Sequence, residues 1–302
     1  MVALPRLIMA FLRLCRPPNL FTLPGDVFAG YITAGTVVNL PLYPAVGIVG
    51  ISVLLYLGGL LLNDWFDQHI DAKERPNRPI PSGQVKPNSV LILGIVGFIF
   101  SFGISLFYPQ STRITTFALI GLIVLYNSYS KHRRWLGILN IASCRVGNFL
   151  LGASICNFQN SQWPSIFLGA CLIFYYVVIF SDMARMETTQ SPRLGLIILI
   201  NLTPIAALLW FFFLRGEFTE SNGILFLIVW SLFFLNTLVI SYRIRSNKIQ
   251  NLASKYIGQL IRNLIPLQSL IMVINGASPL MVTIILLHWP IAAILGQRFY
   301  GS

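Results

Sequence analysis

Residues 44–71 read PAVGIVGISVLLYLGGLLL followed by NDWFDQHID. From Pro44 to Leu62 there are nineteen residues without a charge, and three carboxylates, Asp64, Asp67 and Asp71, come directly after them. An uncharged apolar run of ~18 residues or more is long enough to cross the hydrocarbon core of a bilayer as a helix. The rest of the 302-residue chain repeats the pattern: 56% of it is hydrophobic and only 10% charged, with a mean hydropathy of +0.75. A soluble globular protein carries about 25% charged residues. Disorder, collagen-like repeats and a disulfide-rich secreted scaffold are excluded by the same figures. The length alone would suggest two soluble domains of ~150 residues each, but the composition overrides that prior. The expectation is an all-α, polytopic membrane protein with one transmembrane domain over residues 1–302.

Working outward, apolar runs occupy approximately residues 18–38, 44–62, 89–107, 115–129, 136–156, 164–180, 194–214, 223–241, 256–275 and 280–295. The last two are divided only by Gly276, Ala277, Ser278 and Pro279, so nine or ten spans are expected. The basic residues then set the orientation. Arg6, Arg13 and Arg16 precede the first run. Lys73, Arg75, Arg78 and Lys86 follow the second, Lys131, Arg133 and Arg134 the fourth, Arg185 and Arg193 the sixth, and Arg243, Arg245, Lys248, Lys255 and Arg262 the eighth. These make 17 of the 21 basic residues. The opposite connections hold Arg113 and Arg215 with Glu217 and Glu220. Positive charge accumulates on cytoplasmic loops, so the N-terminus and the acidic loops are expected on the cytoplasmic side.

A net charge of +12 would suggest nucleic acid in a soluble chain. Here topology and anionic headgroups explain it, and no basic helix face with interleaved aromatics is present; nucleic acid is not an expected partner. Cys15, Cys144, Cys156 and Cys171 are scattered through apolar segments without metal-ligand spacing and read as small packing residues. His69, His132 and His288 are isolated. The first sixteen residues carry three arginines around an apolar stretch too short for a signal-peptide core, and read as an amphipathic arm at the membrane surface.

The chemistry concentrates after the second run. On a continuing helix Asp64, Asp67 and Asp71 fall at i, i+3 and i+7, on one face, with Asn63 a turn below Asp67. Like charges so spaced repel unless a cation lies among them. Hard oxygen ligands suit Mg²⁺, which holds a substrate diphosphate through one or two carboxylates and water. The plainer alternative is a solvated helix end whose acids balance Lys73, Arg75 and Arg78. The next residues, Arg75-Pro76-Asn77-Arg78-Pro79-Ile80-Pro81-Ser82-Gly83, favour the first reading. Prolines stiffen the loop, and two guanidinium forks can grip phosphate oxygens. Acids for a metal beside arginines for phosphate describe a diphosphate site.

Asn63 to Gly83 resembles, position for position, the N-D-x-x-D-x-x-x-D and R-P-x-R-P-I-P-S-G motif of the UbiA superfamily of intramembrane prenyltransferases. Arg16-Pro17-Pro18-Asn19 before the first span, Tyr126-Asn127 with Lys131 at the end of the fourth, and Asn140, Arg145, Asn148 and Gly152 on the fifth are similar to the same family in register. The resemblance covers essentially the whole chain. It implies nine spans around a central cavity open to lipid, with Mg²⁺ bound by two acidic motifs, a polyprenyl diphosphate as donor and a lipid-soluble, electron-rich aromatic acceptor. It also implies that the allylic C–O bond ionises to a carbocation that the acceptor captures. On this reading Asn63, Asp64, Asp67 and Asp71 hold metal; Arg75, Arg78, Lys131 and Arg145 meet the diphosphate; and Tyr126 and Asn148 contact substrate. Arg145 lies in mid-run, where an ionised side chain costs at least ~2.5 kcal/mol. It is read as facing the bundle interior toward diphosphate; the plainer alternatives are an arginine snorkelling to the interface or one paired with a buried acid.

The second motif departs from the family pattern. Phe180-Ser181-Asp182-Met183-Ala184-Arg185-Met186-Glu187 stands where a D-x-x-x-D-like element is expected. Asp182 and Glu187 are five apart, ~140° around a helix, and do not share a face. The segment could supply a metal ligand from Asp182 or Glu187, or Arg185 could contact phosphate directly. Two functions therefore stand. The first is Mg²⁺-dependent prenyl transfer from a diphosphate. The second is a UbiA-like membrane protein that binds or carries a prenylated or polycyclic lipid without catalysis.

Overall fold

The computed structural model describes residues 11–12, 14–35, 43–156, 163–185, 194–214, 220–246 and 253–299. Every regular element among them is helical. The main helices are α1 (Leu23–Ala34), α2 (Tyr43–Phe66), α3 (Gln68–Glu74), α4 (Pro87–Ser105), α5 (Gln110–Ser128) and α6 (Arg134–Ala153). They continue as α7 (Trp163–Arg185), α8 (Leu194–Leu214), α9 (Glu220–Ser246), α10 (Ala253–Arg262), α11 (Leu264–Ile274) and α12 (Pro279–Phe299). Among the described residues eight helical segments are long and apolar enough to cross a membrane. The protein is an integral, multi-pass membrane protein.

Each of the ten apolar runs corresponds to helix. Two of them fall outside the eight, for different reasons. The described part of the first run is a helix of only 12 residues. The fourth is diluted by Gln110, Ser111, Thr112, Arg113, Thr115 and Thr116 at its start. Those hydroxyls are satisfied internally. Thr115 and Thr116 donate to the carbonyls of Ser111 and Thr112 at 2.8 Å each, and Ser154 donates to Thr112 Oγ1 at 2.9 Å. In an apolar medium a polar group needs such a partner. The ambiguous C-terminal pair resolves into two segments, separated where Gly276 takes a positive φ of 80° that glycine adopts freely.

Packing between helices uses small residues, as expected where lipid supplies no hydrophobic drive for association. α2 and α4 pack along their length through Gly58, Gly94 and Gly97. A Cβ on Gly94 would lie 3.3 Å from the Gly58 carbonyl oxygen, and one on Gly97 3.3 Å from that of Leu54. α1 and α6 cross closer still: a Cβ on Gly30 would fall onto the Phe149 carbonyl, and one on Gly152 onto that of Val27. α11 packs against α1, α9 and α12, so the C-terminal helices close around the N-terminal one. The main core of buried apolar side chains runs from Ile32 and Phe149 through Tyr176 and Phe233 to Leu270.

A smaller cluster positions the functional loop. Ile80 and Val85, from the Pro-rich loop, are buried with Leu61 of α2, Val90 of α4 and Leu14 of the N-terminal arm. The loop backbone is turned by Ser82 N–H to the Arg78 carbonyl at 3.0 Å and Val85 N–H to that of Pro79 at 3.1 Å. Gly83 has a φ of 73°. The loop therefore returns over the end of α2 instead of projecting into solvent, and the arm is held to the same patch.

Candidate functional site

The helix does not run straight through the acidic motif. α2 ends at Phe66, Asp67 forms a single turn residue, and α3 starts at Gln68. The hydrogen-bond pattern is nonetheless kept: Asp67 N–H donates to the Asn63 carbonyl at 3.0 Å and Asp71 N–H to that of Asp67 at 2.8 Å. The three carboxylates stay on neighbouring turns, but each is drawn to a cation. Arg78 Nη1 lies 2.6 Å from Asp71 Oδ2 and 3.7 Å from Asp64 Oδ1, while Arg16 Nη2 lies 3.5 Å from Asp64 Oδ1. Lys131 Nζ lies 2.6 Å from Asp67 Oδ1 and 3.4 Å from Asn63 Oδ1, with the Phe66 ring 5.7 Å away. The three carboxylates do not meet at one point. Asp64 and Asp71 share an arginine, Asp67 has a lysine, and no three acidic, His or Cys side chains converge among the described residues. Repulsion between like charges is relieved by interleaved cations instead of by clustering.

Arg16 holds its place under backbone strain. Its φ of 44° puts it in the left-handed region, and among the described residues it is the one non-glycine there. The conformation costs an ordinary residue about 1–2 kcal/mol, and strain of this kind collects at functional sites. Pro17 fixes the turn that follows, and the buried Leu14 anchors the arm that precedes it. Burial also pushes the Cys15 thiol up from its ordinary value. Arg75, by contrast, is exposed, with no ion pair among the described residues. Its backbone carbonyl accepts from Arg78 N–H at 3.0 Å.

The turn between α5 and α6 carries the other half of the site. Ser130–His132 form a 3-10 turn, so that Lys131 faces the first motif while Arg134, the first residue of α6, faces the second. Arg134 Nε and Nη2 both donate to Asp182 Oδ1, at 3.1 and 2.7 Å. Asp182 is buried near the end of α7. Arg185, one turn further on, donates from Nη2 to the Lys131 carbonyl at 2.9 Å and packs over Gly137. Arg185 thus braces the turn. Glu187 lies outside the described residues. Tyr126 is half-buried on α5, within electrostatic reach of Arg16, Arg185 and Asp67. Asn127 beside it ties α5 to α2 by donating to the Gly59 carbonyl at 3.3 Å.

Deeper in the bundle lies a second polar cluster that the motif reading passes over. Arg145 Nε is 2.7 Å from Asp26 Oδ2, and its Nη2 donates to the Thr22 carbonyl at 2.7 Å. Asn148 donates to the same Asp26 oxygen at 3.1 Å and to the Leu23 carbonyl at 3.4 Å. Gln268 of α11 donates to Asp26 Oδ1 and, at 2.9 Å, to the Thr22 carbonyl. The expected assignments of Arg145 to diphosphate and Asn148 to substrate are thereby revised: both side chains engage α1. The alternative of a buried acidic partner is the one the geometry adopts. Asp26 is the partner, a residue whose lone position in an uncharged span was the available signal. Arg134 was likewise concealed inside a basic loop that topology alone accounts for, and Arg16 was visible only through its Arg-Pro-Pro-Asn context.

Whether the first motif suits a divalent cation follows from its donors. Asn63 and three carboxylates are hard oxygen ligands, and Mg²⁺ needs only one or two carboxylates when phosphate and water complete the shell. Cations already neutralise these same oxygens here, so the set accepts positive charge. The first motif fits Mg²⁺. In the second motif the one acid among the described residues, Asp182, has its Oδ1 taken twice by Arg134.

Comparison with known proteins agrees with the fold. The chain is 28% identical over 180 residues to the digeranylgeranylglyceryl phosphate synthase of Sulfolobus acidocaldarius, covering 59% of this chain and 61% of that one. It is 34% identical over 145 residues to the Methanosarcina mazei enzyme of the same name, covering 47% and 50%. The alignments thus span about half to three-fifths of those relatives. Among solved structures, a digeranylgeranylglyceryl phosphate synthase superposes with a TM-score of 0.60 at 20% identity over 89% of this chain and 99% of that one. A UbiA homologue from Archaeoglobus fulgidus bound to GPP and Mg²⁺ superposes with 0.58 at 16% identity, over 97% and 100%. Another, from Aeropyrum pernix K1, gives 0.61 at 14% identity, over 88% and 98%. The UbiA prenyltransferase family matches residues 23–191, from α1 past the end of α7 and through both acidic motifs, and this chain belongs to it.

Proposed function

We propose that the chain is a Mg²⁺-dependent prenyltransferase that moves a prenyl group from its diphosphate to a lipid-soluble acceptor. The observation that carries this reading is the alternation of carboxylates and cations at the end of α2. Asp64, Asp67 and Asp71 interleave with Arg16, Arg78 and Lys131, each pair 2.6–3.7 Å apart. Such a set binds a metal–diphosphate unit by exchange of partners: the carboxylates turn to metal and the cations to phosphate oxygens. Asn63, Asp64, Asp67 and Asp71 would hold Mg²⁺, whose chemistry there is to neutralise charge gathering on the departing diphosphate. Arg78 and Lys131 hold the phosphate oxygens in place, and Arg75, exposed at the mouth of the loop, meets the incoming anion. Tyr126, half-buried on α5, would contact the prenyl donor. The surrounding apolar helices keep water from an allylic cation. Arg145 and Asn148 act from behind, by fixing α1 against α6.

The Archaeoglobus neighbour bound to GPP and Mg²⁺ supports the ligand class. The site lies on the side that carries most of the basic loops, which we place in the cytoplasm, and the whole chain acts as one transmembrane unit. The test is release of diphosphate from a labelled prenyl donor in membranes bearing wild type or Asp67→Asn. Loss of release in the variant is expected; equal release would remove the metal assignment. A second reading, binding of a prenylated lipid without turnover, is favoured by the closure of Asp182 on Arg134, and diphosphate retained without release would support it.

A further inference from the structure

We propose that Arg134 takes the place of a second divalent cation, so that this chain binds its diphosphate with one metal ion and one built-in guanidinium. The inference rests on the proposed prenyltransferase site and concerns how its second half works. The basic turn between α5 and α6 delivers one cation to each acidic motif: Lys131 to Asp67 at 2.6 Å, and Arg134 to Asp182 at 3.1 and 2.7 Å through two nitrogens. Arg185 secures the turn from the α7 side through the Lys131 carbonyl. The two halves are therefore tied to each other by three contacts at one turn.

The burial of the pair points the same way. The Asp182 side chain is 7% exposed and that of Arg134 is 41% exposed, so the acid is committed inward while the guanidinium keeps an open edge. Only two of its nitrogens are used on Asp182, and the remaining N–H groups can donate to a phosphate oxygen. A guanidinium is planar, always charged and matched to phosphate geometry. It supplies a positive charge without needing a second convergent carboxylate.

The test counts bound metal. Purified protein in detergent is titrated with Mn²⁺ in the presence of geranyl S-thiolodiphosphate, a non-ionising diphosphate, and bound Mn²⁺ is measured by electron paramagnetic resonance. Wild type is expected to bind one ion per chain. Asp182→Asn is expected to keep that one ion, since Asp182 is not a ligand. Arg134→Gln is expected to weaken diphosphate binding by ~10-fold or more, the loss of one charged hydrogen-bonding group. Two ions in wild type would overturn the proposal and leave the prenyltransferase reading standing, as would loss of the single ion in Asp182→Asn. No bound Mn²⁺ and no bound diphosphate in wild type would remove the prenyltransferase reading itself. The wild-type count stands even if a variant fails to fold.

Discussion

Replacing Asp26 with Asn separates two roles for Arg145. Asp26 is fully buried, forms an ion pair with Arg145 at 2.7 Å and accepts from Asn148 at 3.1 Å as well as from Gln268, while the Arg145 side chain is only 15% exposed. Asp26→Asn keeps the shape and one accepting oxygen, but turns an amide NH₂ toward a cluster of donors. Removing one partner of a buried pair leaves the other charge uncompensated, at a cost of about 3–5 kcal/mol. Asn148 and Gln268 would compete for the one remaining acceptor, and a buried donor left without a partner is worth about 1–3 kcal/mol, already contained in that range. The expectation for Asp26→Asn is therefore a destabilisation of ~3 kcal/mol or more. Arg145→Met should cost a comparable amount, because it leaves Asp26 as the lone buried charge. The double variant should cost clearly less than the two together, with a coupling of about 1.5–3 kcal/mol. Unfolding in mixed detergent micelles, followed by tryptophan fluorescence, measures all four corners of the cycle. Additive effects, within ~0.5 kcal/mol, would refute the pairing. So would an Arg145→Met protein of wild-type stability that had lost only diphosphate affinity, which is what a purely substrate-facing Arg145 would show.

Three other outcomes are expected. Gly152→Ala drives a methyl group into the Val27 carbonyl where α1 crosses α6 and should destabilise by about 1–3 kcal/mol; thermal unfolding of the purified protein detects it, and an unchanged midpoint would contradict the close crossing. Arg16→Gly removes the left-handed strain at φ 44° and should leave stability equal or higher while weakening diphosphate binding about 10-fold, ~1.4 kcal/mol. A gain in affinity would show that Arg16 screens Asp64 from its ligand. Lys131→Met leaves Asp67 without its 2.6 Å partner and should lower turnover by ~10²-fold or more, the scale of losing one electrostatic contact to the leaving group; single-turnover kinetics report it, and near-normal turnover would place Lys131 outside the site.

Much of the architecture was legible because the bilayer leaves few options: an uncharged run of this length is a helix, and its ends carry the polar groups. The run over Pro44–Leu62 and the acids after it fixed both the element and the place of the site. Three things were not legible. One was how the Pro-rich loop returns over the end of α2, with Ile80 and Val85 buried beside Leu61 and Leu14. That contact is long-range and has no local signature. The partner of Arg145, Asp26, lay more than a hundred residues away in α1, so spacing within α6 could not reveal it. Arg134 shares its loop with Lys131 and Arg133, and composition cannot tell a cation that orients the chain from one that pairs with Asp182. The short first helix and the polar start of α5 show the same limit, since hydropathy measures composition and not what satisfies each hydroxyl.

The claim on which the rest depends is that the end of α2 binds a diphosphate together with Mg²⁺. Equilibrium binding of geranyl S-thiolodiphosphate to the purified protein, with Mg²⁺ present or chelated, tests it directly. Tight binding that requires Mg²⁺ in wild type and is lost in Asp67→Asn is the predicted result. Binding that is the same with and without Mg²⁺, and unchanged in Asp67→Asn, would contradict it.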